Sequence, residues 1–347
     1  MTGPAPDAAA RAPDAAVRAA LEDVRARLGM VPDAWRPPVQ GAVGHLTGLA
    51  APDGSRWVLK VFPAPAASRA LVEDAALRLA AGLPGVPVPA VAARGTAPAG
   101  PGGPAGAYLV IGRLPGERWS DVRPRCTVAE TAGILRAAAG VLRALHRRTG
   151  ARFGPVVPDD DAGDAAADGP GPDAVERVHR RWVALEPEFR SSGGPPELAD
   201  GVGRLLRTRR DALAGCRRPV LCHHDVNGGN LLLAPDRAPS GLVDWEKAGW
   251  DDPLADLALT AVHVEHHEPA LVPELVRAYG VTAGPELQRF DVHRALLLAA
   301  ERCWITHDRP AGADASMRGL DRRLRDLLVQ AGLLRAGVAG RHGDADR

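Results

Sequence analysis

The segment LCHHDVNGGN at residues 221–230 constrains the fold of this chain more than any other segment. It places two histidines, an aspartate, two glycines and an asparagine directly after the short apolar run PVLC. Burying this many polar groups costs free energy unless they are hydrogen-bonded or hold a ligand. The segment therefore predicts either a hydrogen-bonded turn or a loop built around a site.

A β-hairpin is predicted after this segment, because apolar arms at residues 231–234 and 241–243 flank a turn that contains two prolines. Symmetric pairing of the arms would set residue 231 opposite residue 244 and bring Asn230 close to Asp244. An amide oxygen and a carboxylate at the open end of a hairpin form a hard oxygen site. Such a site suits Mg²⁺ that is also held by substrate phosphates.

Asp225 lies at the start of the loop that returns to Asn230, and we expect Gly228 and Gly229 to let this loop bend tightly. One carboxylate for an incoming hydroxyl and one amide for a metal are what phosphoryl transfer requires. The alternative is that Asp225 and Asn230 only make local hydrogen bonds in a turn. The position of Asp244 favours an active site.

Length, charge and cysteine usage narrow the class of protein. A chain of 347 residues is long enough for two lobes, each with its own apolar interior. Its 43 basic and 42 acidic residues nearly balance, which predicts a small ligand and not a nucleic acid as partner. No apolar run reaches about 18 residues, and the N-terminus lacks the order of a secretory signal, so we expect a cytoplasmic protein without a membrane partner. The four cysteines lack the paired spacing of a zinc site and are expected to be reduced.

The first third of the chain mixes helices with strands. We predict a helix from about Asp14 to Leu28 and a hairpin over residues 45–62 around a Pro-Asp-Gly turn. A second helix is predicted from Ser68, as its cap, to Ala81. Residues 95–107 are rich in glycine and proline and predict a loose loop, which the apolar residues 108–111 follow as a strand.

The remainder of the chain has helical periodicity. Thr127 and Glu130 predict a capping box at the start of a helix. Further helices are predicted at residues 174–185, where Pro187 ends the helix, at 198–214, and onward to about Gln330. We expect an N-lobe at residues 1–112, a helical C-lobe at 113–337 and a disordered tail at 338–347.

These motifs resemble those of one family of enzymes. The residues from His223 to Asn230 resemble the H-x-D-x-x-x-x-N loop of the aminoglycoside phosphotransferase family of small-molecule kinases. The segment DWE at 244–246 resembles the metal-binding segment of that family, and DPLADL at 252–257 resembles the helix start that follows. The resemblance covers about residues 37–306. It implies an α+β, bilobal protein-kinase-like fold with a small antiparallel-sheet N-lobe and a larger, mostly helical C-lobe.

The resemblance extends to the expected nucleotide site. Lys60 in WVLKVF resembles the strand lysine that holds nucleotide phosphates, and Glu73 resembles its helix partner. A buried ammonium needs a carboxylate partner, although a solvated lysine on an edge strand is the alternative. The segments PVQGAVGHLTG and LVIGRLPGE resemble the phosphate-covering loop and the hinge. The residues implied there to contact the nucleotide are Gly41, Gly44, Gly112 and Leu114.

The resemblance also implies catalytic roles. Asp225 would position the acceptor hydroxyl and take its proton, while Asn230 and Asp244 would bind Mg²⁺. His223 and Asp256 would support the loop. The chain departs from the family pattern at His224, where the family usually has glycine.

The acceptor is expected to be a small molecule. Only seven residues separate Asp244 from Asp252, which is too few for the activation segment on which protein kinases dock peptides. Acidic side chains after Pro253 would suit a cationic aminoglycoside, although ordinary solvated charges are the alternative. The candidate acceptor contacts are Glu265, Glu268, Glu301, Trp304 and Asp308.

The sequence thus predicts an ATP-dependent or GTP-dependent O-phosphotransferase that modifies an aminoglycoside-type antibiotic, for resistance or self-protection. A kinase of a housekeeping metabolite such as choline, homoserine or a sugar is the first alternative. An inactive nucleotide-binding regulatory module is the second, and the complete set of site residues disfavours it.

Overall fold

A computed structural model of the protein describes residues 15–37, 44–97, 105–156 and 171–335. Backbone contacts group the chain into two compact units, each assembled from separate stretches. The first comprises Met1–Thr149, Gly154–Gly169 and Val220–Trp250, and the second comprises Gly150–Phe153, Pro170–Pro219 and Asp251–Arg347. The α+β class is as predicted. The lobe boundaries predicted at residues 112 and 337 stay predictions.

The first unit carries a five-stranded antiparallel sheet in the order β1-β2-β3-β5-β4. Its strands are β1 (Val31–Pro32), β2 (His45–Ala50), β3 (Arg56–Phe62), β4 (Val91–Ala97) and β5 (Gly106–Gly112). Its helices are α1 (Ala15–Leu28), α2 (Ala67–Ala80), α3 (Trp119–Val122) and α4 (Val128–Leu145). Two further sheets have three strands each, in the orders β10-β9-β6 and β7-β11-β8. They are formed by β6 (Glu117–Arg118), β7 (Gly154–Pro155), β8 (Val220–Cys222), β9 (Leu231–Leu233), β10 (Pro239–Leu242) and β11 (Gly249–Asp251).

Helix α1 and the β2–β3 hairpin form as the sequence predicts. Gly29 ends α1 with a left-handed φ of 66°, a conformation that glycine adopts without steric cost. The apolar side of α1 packs on the five-stranded sheet in one cluster that includes Val17, Val24 and Leu59. Helix α1 therefore covers one face of the sheet.

Two predictions for this unit are wrong. Ser68 lies inside α2 and does not cap it, because a 3-10 turn at Ala64–Ala66 leads directly into the helix. The loop predicted over residues 95–107 is too long at both ends, because residues 95–97 belong to β4 and residues 106–107 to β5, where Ala97 pairs with Gly106. Residues 98–104 of that prediction lie outside the described residues. Small residues with low β-propensity are held in strands there by pairing and burial, which override local preference.

The predicted capping box of α4 is confirmed. The Thr127 side chain accepts a hydrogen bond from the Glu130 amide at 3.2 Å, and the Thr127 amide donates to the Glu130 carboxylate at 2.7 Å. The helix then buries an apolar stripe along its length that includes Leu135, Leu142 and Leu145. The cap satisfies amides that the first turn of any helix leaves unpaired.

Substituting Thr127 with alanine is expected to lower the free energy of unfolding by about 1 kcal/mol, because the Glu130 amide loses its acceptor. Thr127→Ser keeps the hydroxyl and is the matched control. Urea titration of both variants measures the effect. Equal midpoints for the alanine and serine variants would show that the cap does not stabilise α4.

The hairpin after the polar segment forms with a different register from the predicted one. Leu231 pairs with Leu242 and not with residue 244, and the register shifts between Pro239 and Gly241. The turn is short, because the Ala234 amide donates to the Ala238 carbonyl at 2.9 Å and Arg237 adopts a left-handed φ of 69°. A turn of this kind, together with an irregular residue in one arm, moves the pairing without changing the apolar pattern.

The second unit is helical. Its helices are α5 (Ala174–Ser191), α6 (Pro196–Thr208), α7 (Arg210–Ala214), α8 (Pro253–Glu265), α9 (Val272–Tyr279), α10 (Gly284–Asp308) and α11 (Ala313–Gln330). Apolar residues of α5, α6, α7, α8, α10 and α11 share one core that includes Phe189, Leu205, Leu296 and Leu324. No helix in the described part of the chain is long and apolar enough to cross a membrane.

Two predicted helices in this unit end or divide at residues other than those predicted. Pro187 does not end α5. A proline cannot donate to the carbonyl four residues earlier, which is that of Val183. Because Pro187 and Val183 are both exposed, solvent can replace the lost hydrogen bond. Phe189 is fully buried and anchors the last turn in the core. The helix predicted over residues 198–214 is divided into α6 and α7 at Arg209. The predicted start at Asp252 and Pro253 is confirmed, since the Asp252 side chain accepts from the Leu254 amide at 2.9 Å.

Candidate active site

His223 fixes the polar loop that follows β8. Its side chain is fully buried, and its Nε2 lies 3.1 Å from the Val243 carbonyl, which can only accept a hydrogen bond. Nε2 therefore carries the hydrogen, and Nδ1 accepts the Asp225 amide at 3.2 Å. The ring also packs edge-on against Trp245, with 4.5 Å between centroids. Both ends of the imidazole thus hold backbone, and the supporting role of His223 in catalysis stays a prediction.

Replacing His223 with phenylalanine is expected to lower the free energy of unfolding by about 2 kcal/mol or more, because one buried carbonyl and one amide lose their partners. The ring contact with Trp245 would remain. His45→Phe is the control, since His45 is exposed and its substitution should change stability by less than about 0.5 kcal/mol. Equal thermal midpoints for the two variants would contradict the bracing role.

The Asp225 carboxylate is held by three side-chain donors. Oδ1 accepts from the Asn227 amide nitrogen at 3.2 Å, and Oδ2 accepts from the Asn230 amide nitrogen at 3.1 Å and from Lys247 Nζ at 3.1 Å. Only 15% of the Asp225 side chain is exposed. The carboxylate is therefore oriented by the protein and remains accessible on one side.

The tight bend of this loop has a different origin from the expected one. Neither Gly228 nor Gly229 has a positive φ. The Asn227 side chain makes the turn by accepting the Gly229 amide at 2.7 Å. Gly228 is needed for close approach, because a Cβ there would lie 3.2 Å from the Ser120 amide nitrogen.

Two other residues of the site have strained backbone. His224 and Asp244 have φ angles of 59° and 68°, in the left-handed region that glycine favours. A glycine at the position of His224 would adopt this conformation without steric cost. Strain of this kind is concentrated at functional sites, where the surrounding structure holds it.

Lys60 lies at the centre of an acidic cluster. It projects from β3, is 6% exposed, and its Nζ lies 2.8 Å from Glu73 and 3.1 Å from Glu246. It also forms an ion pair with Asp244. The predicted pairing of Lys60 with Glu73 is confirmed, and the alternative of a solvated lysine is wrong.

The electrostatics of this cluster favour the charged forms of Lys60 and Asp244, whereas burial raises the pKa of Glu73 above its ordinary value. Burial alone lowers the pKa of Lys60, but the negative charges of Glu73, Asp244 and Glu246 outweigh it and raise the pKa above the ordinary value. Burial raises the pKa of Asp244, and the Lys60 ammonium outweighs that effect and holds it below the ordinary value. Lys60 and Asp244 are therefore a charged pair at neutral pH.

Sequence reasoning missed three residues of this site: Glu246, Lys247 and Arg69. Glu246 contacts Lys60 and accepts from Arg69 at 2.8 Å. A signal was present in the DWEK segment, because Glu246 and Lys247 follow Asp244 within three positions. Arg69 gives no such signal, since its contact spans 177 positions.

The donor set fits a divalent cation. Glu73, Asp244 and Glu246 each offer a carboxylate oxygen within 4.8 Å of the others. The Asn230 amide nitrogen is turned toward Asp225, so its oxygen points to the other side. The Val243 amide donates to the Asn230 carbonyl at 3.0 Å, which places Asn230 beside the residue that precedes Asp244. Oxygen donors of this kind match Mg²⁺.

The four residues expected to contact the nucleotide have different surroundings, and one of them is not described. Gly44 is buried against β3, where a Cβ would lie 3.1 Å from the Val61 carbonyl and 3.5 Å from the Lys60 side chain. Gly41 lies outside the described residues. The Gly112 amide donates to the Ala90 carbonyl at 2.8 Å, and a contact of Gly112 with the nucleotide stays a prediction. Leu114 lies in the connection between β5 and β6, with its side chain against Gly241.

The candidate acceptor residues all belong to the second unit, as does Asp256, which is fully buried in α8. Glu265 pairs with Arg294 at 3.2 Å, and Glu301 contacts His266 at 2.6 Å. Arg323 lies within 4.0 Å of both glutamates. These two carboxylates therefore have their charges balanced within the unit. Trp304 and Asp308 are exposed and Glu268 is half-buried. Acceptor binding by these residues stays a prediction.

Solved structures of phosphotransferases are similar to this chain. The ternary complex of a thermostable mutant of aminoglycoside phosphotransferase APH(4)-Ia with AMP-PNP and hygromycin B aligns with a TM-score of 0.61 and 15% identity, covering 90% of this chain and 98% of that one. Macrolide 2'-phosphotransferase MphH from Brachybacterium faecium aligns at 0.53 and 21%, covering 87% and 97%. A putative fructosamine-3-kinase from Thermobifida fusca YX-ER1 aligns at 0.58 and 18%, covering 88% and 98%. Among curated proteins, no significant match to the sequence is found.

The chain thus shares the fold of phosphotransferases. The family model described as the phosphotransferase enzyme family (APH) matches residues 46–296. The chain belongs to this family, and it is a small-molecule kinase.

Proposed function

We propose that the protein is an ATP-dependent or GTP-dependent O-phosphotransferase that moves the γ-phosphoryl group to a hydroxyl of a small molecule. One observation carries this proposal: an oriented carboxylate, Asp225, and a buried lysine with three carboxylates occur together in the first unit. Phosphoryl transfer depends on positioning and on charge stabilisation more than on covalent chemistry. The oriented Asp225 carboxylate supplies positioning, and the Lys60 cluster supplies charge stabilisation.

Each residue has a proposed task. Lys60, held by Glu73, binds the nucleotide phosphates, and Gly44 leaves room beside it. The backbone of Leu114 holds the nucleobase, since the Gly112 amide is engaged within the protein. Asp225 orients the acceptor hydroxyl and takes its proton, with His223 bracing the loop.

Asn230 and Asp244 would hold Mg²⁺, with Glu246 as a further oxygen donor close to Asp244. The ion, when bound, supplies positive charge that neutralises phosphate oxygens. Asp244 is ionised well below neutral pH because Lys60 lowers its pKa, so it is ready to bind a cation. In this proposal Lys60 and Asp244 therefore act at neighbouring parts of one nucleotide site.

The acceptor we propose is an aminoglycoside-type antibiotic. Support comes from the similar fold of an aminoglycoside phosphotransferase in complex with hygromycin B. A second candidate is a neutral hydroxyl-bearing metabolite such as a sugar. The pairing of Glu265 and Glu301 with basic side chains favours it, because those carboxylates are not left for a polycation. The short link from Asp244 to Asp252 supports a small acceptor in both cases.

The test is a panel of acceptors with purified protein. Aminoglycosides, macrolides, choline, homoserine and sugars would each be incubated with Mg·ATP or Mg·GTP. Formation of nucleoside diphosphate and gain of one phosphoryl group by the acceptor, read by mass spectrometry, are expected for one class. Chelation of Mg²⁺ should abolish both signals. A protein that binds nucleotide but transfers to no acceptor would favour the regulatory-module alternative.

A further inference from the structure

The two lysines of this chain occupy the same neighbourhood. The sequence contains 41 arginines but only two lysines, Lys60 and Lys247. Lys60 lies in the acidic cluster, and Lys247 lies 3.1 Å from the Asp225 carboxylate. In a chain that otherwise uses arginine for positive charge, the two lysines mark positions where an ammonium serves better than a guanidinium.

The contacts of Asp225 differ between its two oxygens. A carboxylate oxygen can accept about two hydrogen bonds. Oδ2 has two, from Lys247 and Asn230, and is therefore saturated. Oδ1 accepts one, from Asn227 at 3.2 Å, and retains a free lone pair. Oδ1 is thus the atom available to a further donor such as an acceptor hydroxyl.

We propose that Lys247 is a positioning residue for phosphoryl transfer, which holds Asp225 Oδ2 so that Oδ1 accepts the proton of the acceptor hydroxyl. This inference rests on the proposed function. In the transfer step the hydroxyl O–H bond breaks and its proton goes to Oδ1. The acceptor hydroxyl oxygen bonds to the γ-phosphorus, the bond from that phosphorus to the bridging oxygen breaks, and the nucleoside diphosphate leaves.

An ammonium suits this task better than a guanidinium. Arginine binds carboxylates with two parallel N–H groups and would engage both oxygens of Asp225. Engagement of Oδ1 would remove the lone pair that the proton needs. Lysine is a compact point charge that can contact Oδ2 alone. About half of the Lys247 side chain is exposed, at 51%, so its replacement should leave the fold intact.

The first test is Lys247→Met, which keeps the length of the side chain and removes the charge. We expect kcat to fall about 10-fold, because a misplaced base lowers the rate of transfer, while KM for the nucleotide stays within about twofold. Arg143→Met removes one exposed charge from α4 and is the control for net charge. A Lys247→Met enzyme with the kcat of the Arg143→Met enzyme would overturn the proposal.

The second test is a double-mutant cycle with Asp225→Asn. If Lys247 acts through Asp225, adding Lys247→Met to Asp225→Asn should change the residual rate by less than about twofold. A further 10-fold loss in the double variant would mean that Lys247 acts independently of Asp225. The thermal midpoints of all variants are compared to separate unfolding from loss of activity.

The third test is Lys247→Arg, which retains the charge. We expect its kcat to lie at least about threefold below that of the wild type, because the guanidinium engages both oxygens. Full activity in this variant would contradict the need for an ammonium. Failure of the wild-type enzyme to transfer phosphoryl to any acceptor would instead contradict the proposed function, and the inference with it.

Discussion

Substituting Asp225 with asparagine is expected to lower kcat by about 10²–10⁴-fold, the usual contribution of a general base. Asparagine keeps the size of the side chain and one carbonyl oxygen, but it has no carboxylate to take the proton. Affinity for the nucleotide should change by less than about twofold, since Asp225 does not contact the Lys60 cluster by any hydrogen bond within the described residues. Steady-state kinetics with the acceptor found in the panel, together with nucleotide titration, measure both quantities.

Asp236→Asn is the matched control for this substitution. Asp236 is an exposed carboxylate in the β9–β10 turn, where it accepts the Ala238 amide at 3.0 Å. Asparagine can accept the same hydrogen bond, so neither stability nor kcat should change. If Asp225→Asn kept more than about a tenth of the wild-type kcat, another group would have to take the proton.

The candidate site could be located from the sequence because its residues are concentrated in short segments. Asp225, Asn230 and Asp244 occur within twenty positions, and oxygen ligands with this spacing around a hairpin indicate a cation site. The partner of Lys60 was also predictable, since a buried ammonium requires a carboxylate and Glu73 is in the next helix.

The exact pairing of the hairpin was not predictable from its apolar pattern. The left-handed conformation of Arg237 and the irregular pairing near Ser240 set the register, and neither residue is glycine. Strand β4 was missed for a related reason, because its small residues carry little local preference and pairing with β5 decides their conformation. Strand pairing of this kind depends on contacts between residues that are distant in the sequence.

Glu246 and Lys247 show the same limit at the level of single side chains. They lie two and three positions after Asp244, yet Glu246 turns to Lys60 while Lys247 turns to Asp225. The left-handed backbone at Asp244 redirects the chain at this point. A sequence motif identifies such residues as neighbours of the site, and only the fold determines which partner each one contacts.

Substituting Lys60 with methionine is expected to impair both nucleotide binding and kcat. The ammonium lies among three carboxylates, so its removal leaves Glu73, Asp244 and Glu246 to repel one another. Loss of one partner from a buried ion pair costs about 3–5 kcal/mol of stability. We therefore expect a lower free energy of unfolding in addition to weaker binding, a combination that Asp225→Asn should not show.

The stability loss should depend on pH. In the wild type, the lowered pKa of Asp244 gives stability that is present above its ordinary value of 3.8 and lost as the pH falls below it. In Lys60→Met the unpaired carboxylates bind protons more readily, so acid relieves their repulsion. The difference in unfolding free energy between the two proteins should be largest near neutral pH and decrease as the solution is acidified. Urea titrations at several pH values measure it.

A second substitution separates stability from activity. Glu73 is 1% exposed, and in Lys60→Met/Glu73→Gln one buried charge is removed together with its partner. Removing both members of a buried pair costs less than removing one, so the double variant should regain part of the stability lost in Lys60→Met. It should not regain nucleotide affinity, because the ammonium that binds phosphate is still missing. Recovery of nucleotide binding with stability would mean that Lys60 acts only by balancing the charge of Glu73, and that another cation holds the phosphates.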